Sequence, residues 1–183
     1  MYTISKQFEF CAGHRVWSQT LDSQLSDNSN CKCRWLHGHN YMLTVELQGY
    51  KLDGKGMVLD FNELLFVKKI VDKHFDHKCI LDINDPLRKS LIPTYYNEVE
   101  PVLITNEIGC KVVDPKQLDS LSLLKKEERE LYESFIIVNF LPTSENLSKF
   151  FYDLITNILT PYNITVKSVA INETPKTQSI YSK

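Results

Sequence analysis

Ten residues, Cys31 to Asn40 with the sequence CKCRWLHGHN, constrain this chain more than any other stretch, because they place two cysteines and two histidines close together. His37 and His39 are separated only by Gly38. In an extended strand, residues i and i+2 point to the same face, so both imidazoles can converge on one point, and Gly38 adds no side chain between them. The pattern predicts a metal site that takes its remaining ligands from elsewhere in the chain.

His14 is the third candidate ligand. It follows the alternating segment Tyr2–Phe10, which predicts a first strand, whereas His37 and His39 lead into a second predicted strand at Asn40–Tyr50. Antiparallel pairing of these strands would bring the three imidazoles together. Three neutral imidazoles are the ligand set of a catalytic zinc whose fourth position stays open. Zinc is favoured over iron or copper because no carboxylate completes a facial triad and no methionine lies close in sequence.

Two cysteines precede the histidine pair and admit two interpretations. If Cys31 and Cys33 both join the histidines, the metal site is closed and only supports folding. If the ligands are the three histidines, a thiolate beside the cation has a pKa below its free value of about 8.5 and can act as a base or nucleophile. We favour the second interpretation. A structural zinc protein and a zinc hydrolase remain as alternatives.

Carboxylates and a further histidine lie downstream. Asp76 and His77 follow the first predicted helix and could accept or relay protons, although the helix dipole also favours a histidine at that end. Glu173 closes a predicted strand, where its carboxylate could bind a planar donor fork such as that of a pterin or guanine, with simple solvation as the alternative. Glu145, in the first turn of a predicted helix, admits the same role or a dipole interaction.

Two amphipathic helices are predicted. Asp60 can cap the first, which runs to about His74, and Pro142–Glu145 opens the second, where apolar residues follow the i, i+3, i+4, i+7 pattern. Further strands are predicted at Ile164–Ile171 and Thr177–Tyr181. Antiparallel strands with two helices on one face are typical of the α+β class.

Two other stretches are predicted to lie outside this framework. The polar residues of Ser18–Cys33 indicate a surface loop. Pro86–Ser134 is predicted to be an insertion with an apolar, turn, apolar segment and a helix whose KKEERE run is a solvated face. Lengthening a loop costs little entropy, so such an insertion is tolerated even without a role.

Composition limits the partners and the compartment. The 183 residues suit a single domain, and a formal charge of -2 gives no sign of a general nucleic-acid or anionic-membrane binder. Five cysteines, odd in number and unevenly spaced, favour reduced thiols in the cytoplasm over a secreted disulfide framework. We expect neither a signal peptide nor a membrane span.

Six segments in order resemble the 6-pyruvoyltetrahydropterin synthase and 6-carboxytetrahydropterin synthase family: FEFCAGHR, CRWLHGHNY, GMVLDFNEL, FDHKCILD, PTSENL and INET. Together they span nearly the whole chain except Pro86–Ser134. The resemblance implies the tunnel-type fold, in which an antiparallel four-stranded sheet carries two helices on one face. It also implies a homohexamer of two stacked trimers, with active sites between subunits. The insertion could cover the tunnel mouth, alter the hexamer interface or bind a partner.

The resemblance further implies a substrate, 7,8-dihydroneopterin triphosphate, and no redox cofactor. Arg15, Lys32, Arg34 and Lys176 are candidates for binding the triphosphate, with solvation as the stronger alternative. The residue roles that it implies are zinc ligation by His14, His37 and His39, proton transfer by the thiolate of Cys33, acid–base catalysis by Asp76 and His77, and pterin binding by Thr143, Ser144, Glu145 and Glu173.

Cysteine spacing is linked to the product within this family. Cys33 stands three residues before HGH, as in the queuosine-pathway enzymes, whereas Cys31 stands at the five-residue spacing of the animal biopterin enzymes. CRWLHGHNY matches the queuosine-type pattern in register, which favours 6-carboxytetrahydropterin, formed with loss of triphosphate and acetaldehyde. The alternatives are a 6-pyruvoyl product and side-chain cleavage toward a folate precursor, which ranks lower because it is found where glutamate replaces the cysteine.

Overall fold

The computed structural model describes residues 1–26 and 31–183. Of the loop predicted at Ser18–Cys33, residues 27–30 lie outside these ranges, and the described part ends in a 3₁₀ turn at Lys32–Arg34. The chain forms two compact units, each built from separate segments, so its single-domain organisation stays a prediction. The first unit comprises Met1–Ala12, His39–Asp76 and Thr143–Lys183, and the second comprises Gly13–Gly38 and His77–Pro142.

Eight strands and five α-helices lie in the described residues, which confirms the α+β class but exceeds the four strands predicted. The strands are β1 (Tyr2–His14), β2 (His37–Gly49), β3 (Lys78–Asp82), β4 (Leu103–Thr105), β5 (Lys111–Val113), β6 (Phe135–Val138), β7 (Thr165–Thr174) and β8 (Thr177–Tyr181). The helices are α1 (Leu65–His74), α2 (Arg88–Leu91), α3 (Pro115–Ser120), α4 (Lys126–Glu133) and α5 (Ser144–Leu159).

The strands of the first unit follow the order β1-β2-β7-β8. β7 is antiparallel to both neighbours, with Val45 opposite Val169 and Ala170 opposite Ile180. Three side-chain contacts between β1 and β2 follow antiparallel order, because the partner's number falls as the β1 number rises. They join Gln7 with Thr44, Cys11 with Asn40, and His14 with His37. The predicted four-stranded antiparallel arrangement is therefore present in this part of the chain.

Both predicted amphipathic helices pack on one face of these strands. Asp60 accepts a hydrogen bond from the amide of Asn62 at 2.8 Å and caps a 3₁₀ turn that leads into α1. The ring of Phe75, at the end of α1, lies 4.9 Å from that of Phe151 in α5 and 6.1 Å from that of Phe10 in β1. Fully burying side chains of this size stabilises a fold by about 1.5–3 kcal/mol each, so this aromatic cluster is a main support of the first unit.

The second unit contains strands that the sequence pattern did not predict. Its strands follow the order β4-β5-β6-β3, and β3 is parallel to β6, with Ile80 opposite Ile136. All four residues of β6 (Phe135–Val138) are buried. A strand that is covered on both faces has a short, continuous run of apolar residues and lacks the alternating pattern of a half-exposed strand. Periodicity in the sequence therefore does not identify it.

The insertion at Pro86–Ser134 has a hydrophobic core in common with β3 and β6. The predicted apolar, turn, apolar segment is the β4–β5 hairpin, and the charged run is α4, in which Tyr132 is the one buried residue. These findings confirm both predictions. The shared buried cluster comprises Leu81, Ile92, Tyr95, Val113, Leu118, Tyr132, Phe135 and Ile137.

Among the residues that the structure describes, no helix combines the length and the apolar character that crossing a bilayer requires.

Candidate metal centre and its surroundings

The three histidines predicted as ligands come together in the structure. His14 is the last residue of β1, His37 is the first residue of β2, and His39 follows two positions later on the same side of the strand. One ring nitrogen from each lies within 4.8 Å of the others, His14 is 1% exposed, and the other two are half-buried. This clustering confirms the predicted convergence, and the three side chains could hold a metal ion.

Backbone carbonyls fix the orientation of two of these rings. His14 Nδ1 lies 2.7 Å from the carbonyl oxygen of Pro142, and His37 Nδ1 lies 2.7 Å from that of Trp35. A carbonyl can only accept a hydrogen bond, so each Nδ1 carries a proton and donates it. In a neutral ring this leaves the lone pair on Nε2, the atom that a metal would use.

The two Nε2 atoms face each other at a distance that requires a cation. His14 Nε2 and His37 Nε2 are 3.1 Å apart. Two lone pairs at this distance repel unless a proton or a metal ion lies between them. A tetrahedral zinc ion with Zn–N bonds of about 2.0–2.1 Å holds its ligand nitrogens roughly 3.3 Å apart. Since a third imidazole is within reach, the residues fit a metal ion.

The two candidate thiols lie at one turn, a few residues before His37 in the chain. Cys31 is the N-cap residue of the 3₁₀ turn and Cys33 lies within it, and both side chains are half-buried. The carbonyl of Cys33 accepts a hydrogen bond from the amide of Val16 at 2.8 Å, two residues after His14. The turn is thereby hydrogen-bonded to the segment that follows β1.

Asp76 and His77 occupy the turn between α1 and β3. The Oδ1 atom of Asp76 accepts a hydrogen bond from the amide of Cys11 at 2.9 Å. His77 is exposed and has a φ of 57°, a left-handed conformation in which histidine is enriched among non-glycine residues. An acid–base pair of neighbouring residues requires a turn, because adjacent side chains of one strand point apart, and the structure provides that turn.

Glu173 is half-buried in β7 and acts electrostatically on Tyr41, a residue that the sequence analysis did not single out. Burial and, to a smaller extent, the charge of Glu173 raise the pKa of the Tyr41 phenol far above its usual range. The Tyr41 ring stacks on Phe10 at 4.9 Å and meets the ring of His39 edge-on at 5.5 Å. Its position two residues after His39 in HGHNY was the available signal, since both lie on one face of β2.

Thr143, Ser144 and Glu145 form the start of α5. Thr143 is the N-cap residue, and its Oγ1 accepts a hydrogen bond from the amide of Asn146 at 3.3 Å. Ser144 Oγ donates to Glu145 Oε2 at 3.3 Å, and the Glu145 side chain is exposed. Thr143 thus has a structural role in addition to the pterin contact that remains a prediction.

Replacing Thr143 with alanine is expected to lower the free energy of unfolding by about 1 kcal/mol, because the amide at the helix start loses its acceptor. Urea denaturation followed by circular dichroism measures the change. Thr143→Ser retains the hydroxyl and is the control, which should stay close to wild type. Equal stability of Thr143→Ala and wild type would contradict the capping role.

The structure separates the four basic candidates for triphosphate binding. Arg15 forms an ion pair with Asp85 (Nε–Oδ2 distance 3.1 Å), and its side chain is 13% exposed. Lys32, Arg34 and Lys176 lie at the surface. Arg15 therefore already pairs with a buried carboxylate, whereas the side chains of the other three residues are accessible to a ligand.

Comparison with known proteins gives a consistent picture. The family model described as 6-pyruvoyl tetrahydropterin synthase matches residues 3–183. The 6-carboxy-5,6,7,8-tetrahydropterin synthase of Aquifex aeolicus is 33% identical over 159 residues, which cover 84% of this chain and 78% of that protein. The 6-pyruvoyl tetrahydrobiopterin synthase of Dictyostelium discoideum is 31% identical over 96 residues, or 51% of this chain and 70% of that protein.

Solved structures extend the comparison to the insertion. An uncharacterized protein from Wolinella succinogenes superimposes with a TM-score of 0.89 at 38% identity, covering 99% of this chain and 97% of that one. This coverage includes Pro86–Ser134, so the insertion is matched in that protein. The 6-pyruvoyl tetrahydropterin synthase of Caenorhabditis elegans matches at 22% identity with a TM-score of 0.55, covering 100% and 95% of the two chains, and supports the fold alone.

Proposed function

This chain belongs to the 6-pyruvoyl tetrahydropterin synthase family of enzymes, and we propose that it forms 6-carboxy-5,6,7,8-tetrahydropterin from 7,8-dihydroneopterin triphosphate. The other products would be acetaldehyde and triphosphate. Triphosphate would leave by elimination, and one water would be consumed when the carbon–carbon bond of the side chain is cleaved to give the carboxylate and acetaldehyde. The reaction would serve the queuosine pathway. The observation that carries the proposal is the three-histidine cluster, in which two Nε2 atoms meet at 3.1 Å in a chain that matches the family along nearly its whole length.

We infer that the ion is zinc, held by ring nitrogens of His14, His37 and His39. An all-imidazole set of three suits zinc and leaves one coordination position for the substrate. When bound, zinc supplies Lewis-acid chemistry: it polarises the side-chain oxygens of the substrate and acidifies the neighbouring C–H groups. The carbonyls of Pro142 and Trp35 hold the His14 and His37 rings in the tautomer that this requires.

Proton transfer is assigned to residues of the chain itself. The thiolate of Cys33 would take a proton from the substrate side chain, and Asp76 with His77 would return and accept protons on the oxygen atoms. Two observations support this assignment. The carbonyl of Cys33 accepts a hydrogen bond from the amide of Val16, two residues after His14. The amide of Cys11 donates a hydrogen bond to Asp76 Oδ1 and so holds that carboxylate in place.

Recognition of the pterin ring is assigned to Glu173. Its carboxylate would accept hydrogen bonds from the ring N3–H and the 2-amino group in a bidentate arrangement. The half-buried position of Glu173 and its interaction with Tyr41, beside His39, support this role. Thr143, Ser144 and Glu145 would line the same pocket. A homohexamer of two trimers and a cytoplasmic location belong to the same proposal and are supported by family membership alone.

Incubation of the zinc-loaded protein with 7,8-dihydroneopterin triphosphate is expected to give acetaldehyde and a 6-carboxypterin. Mass spectrometry of the quenched reaction identifies both products, and the chelator-treated protein serves as the control. No turnover by a folded, metal-loaded protein would contradict the proposed substrate.

A second candidate function is formation of 6-pyruvoyltetrahydropterin. It is favoured by Cys31, which stands five residues before HGH and lies at the same turn as Cys33. In the product assay it would appear as a 6-pyruvoyl pterin without acetaldehyde.

A further inference from the structure

Three consecutive residues after His14 are each attached to another part of the second unit. Arg15 Nε lies 3.1 Å from Asp85 Oδ2. The Val16 amide donates to the carbonyl of Cys33 at 2.8 Å. Trp17 Nε1 donates to Asp82 Oδ2 at 2.9 Å. The Val16–Cys33 hydrogen bond, which positions the cysteine turn, is thus flanked by two carboxylate contacts, one from Arg15 and one from Trp17.

The two carboxylates lie at the end of β3, Asp82 as its last residue and Asp85 in the turn that follows. Asp82 is 4% exposed and Asp85 is 5% exposed. Their other oxygens accept hydrogen bonds from backbone amides of the turn, Asp82 Oδ1 from Asn84 at 2.9 Å and Asp85 Oδ1 from Leu87 at 2.8 Å. Each carboxylate therefore accepts a backbone hydrogen bond with one oxygen, and its other oxygen contacts a side chain of the segment that follows β1, Trp17 for Asp82 and Arg15 for Asp85.

Stability alone gives a weak reason for this arrangement. Removing a carboxylate from water costs several kcal/mol, and a buried ion pair is often no more stabilising than apolar side chains of similar volume. The contact between Arg15 Nε and Asp85 Oδ2 also lacks hydrogen-bond geometry within the described residues, which makes it weaker still. Holding the residues that follow His14 against the end of β3 would give the arrangement a use that apolar packing would not provide.

We propose that Asp82 and Asp85 form a carboxylate clamp that, through Trp17 and Arg15, positions His14 and Cys33. Metal ligands and reactive groups must be held within about 0.5 Å of their working geometry. The residues packed and hydrogen-bonded around them determine whether that geometry is kept. The clamp acts on His14 directly through the chain and on Cys33 through the amide of Val16. The inference rests on the proposed function only in requiring that the three histidines bind a metal ion.

The test uses two conservative variants of the full chain, Trp17→Phe and Arg15→Lys. Trp17→Phe keeps an aromatic ring but removes the indole N–H, and Arg15→Lys keeps the charge but replaces the guanidinium. Cobalt(II) affinity is measured without substrate by competition with a chromophoric chelator, on protein that circular dichroism shows to be folded. We expect about 10- to 100-fold weaker binding, the loss typical when groups that orient a metal ligand are changed.

Leu118→Ala is the matched control for a loss of stability. Leu118 is buried in the cluster shared by the insertion, β3 and β6, so the variant weakens the second unit without altering the end of β1. It should bind cobalt(II) as wild type does. Wild-type affinity in both clamp variants, or an equal loss in Leu118→Ala, would overturn the proposal. Failure of wild type to turn over the pterin would count against the proposed reaction and would leave the metal-affinity result intact.

Discussion

Replacing His14 with alanine is expected to reduce metal affinity by at least about 100-fold and to abolish turnover. Changes to groups that merely orient a ligand already cost about 10- to 100-fold, and His14→Ala removes the ligand itself. The loss of Nε2 also removes the close 3.1 Å contact with His37, so no cation is then required between these two rings. Zinc content by elemental analysis and cobalt(II) competition measure the effect.

A second consequence of the same substitution concerns stability. The carbonyl of Pro142 loses the donor that lies 2.7 Å away in the native protein. Leaving a buried acceptor unsatisfied costs about 1–3 kcal/mol, so circular dichroism must show that the variant is folded before its metal content is interpreted.

His74→Gln is a suitable control for His14→Ala. His74 is buried at the end of α1 but does not belong to the three-histidine cluster. We expect this variant to retain one metal ion per chain. Retention of the metal by His14→Ala would instead support a closed site of Cys31, Cys33, His37 and His39, in which His14 is dispensable and chelation unfolds the protein.

Local sequence patterns predicted the elements that lie half-exposed on the surface of the first unit. The bounds predicted for β8 are those observed, and the start of α5 was placed correctly because Thr143 is a capping residue followed by apolar positions at helical spacing. The same reasoning missed β3 and β6. Their runs KCILD and FIIV are too short and too uniformly apolar to be distinguished from a buried helix segment by periodicity.

In the candidate site, too, the residues with a local sequence signal were predicted and the long-range contacts were not. His37 and His39 were predictable because the strand geometry between them is local, and His14 because two neighbouring strands place it opposite them. The contacts that the residues after His14 make with distant parts of the chain were not predictable from the sequence. Arg15 is separated from Asp85 by 70 positions, and neither residue carries a local signal of the other. Arg15 was therefore considered for the triphosphate, whereas the structure gives it a buried carboxylate.

Cys33→Ala is expected to lower turnover by about 100- to 10,000-fold while fold and metal content are retained. Loss of a positioned general base costs about this factor, equivalent to roughly 3–5 kcal/mol of transition-state stabilisation. The cysteine is not counted among the ligands here, since the three histidines that could hold a metal ion would complete the protein's share of an open zinc site. Product formation by mass spectrometry and zinc content by elemental analysis are measured on the same preparation.

Cys31→Ala is the matched control, because Cys31 belongs to the same half-buried turn and is the same residue type two positions away. If Cys33 is the base, Cys31→Ala should still release acetaldehyde at a rate within a few-fold of wild type. The opposite result, an inactive Cys31→Ala with an active Cys33→Ala, would transfer the role to Cys31 and favour the 6-pyruvoyl product. Full activity of both variants would contradict thiol catalysis altogether, because a hydroxide formed at the metal needs no thiol, and the centre would then have to be interpreted as that of a hydrolase.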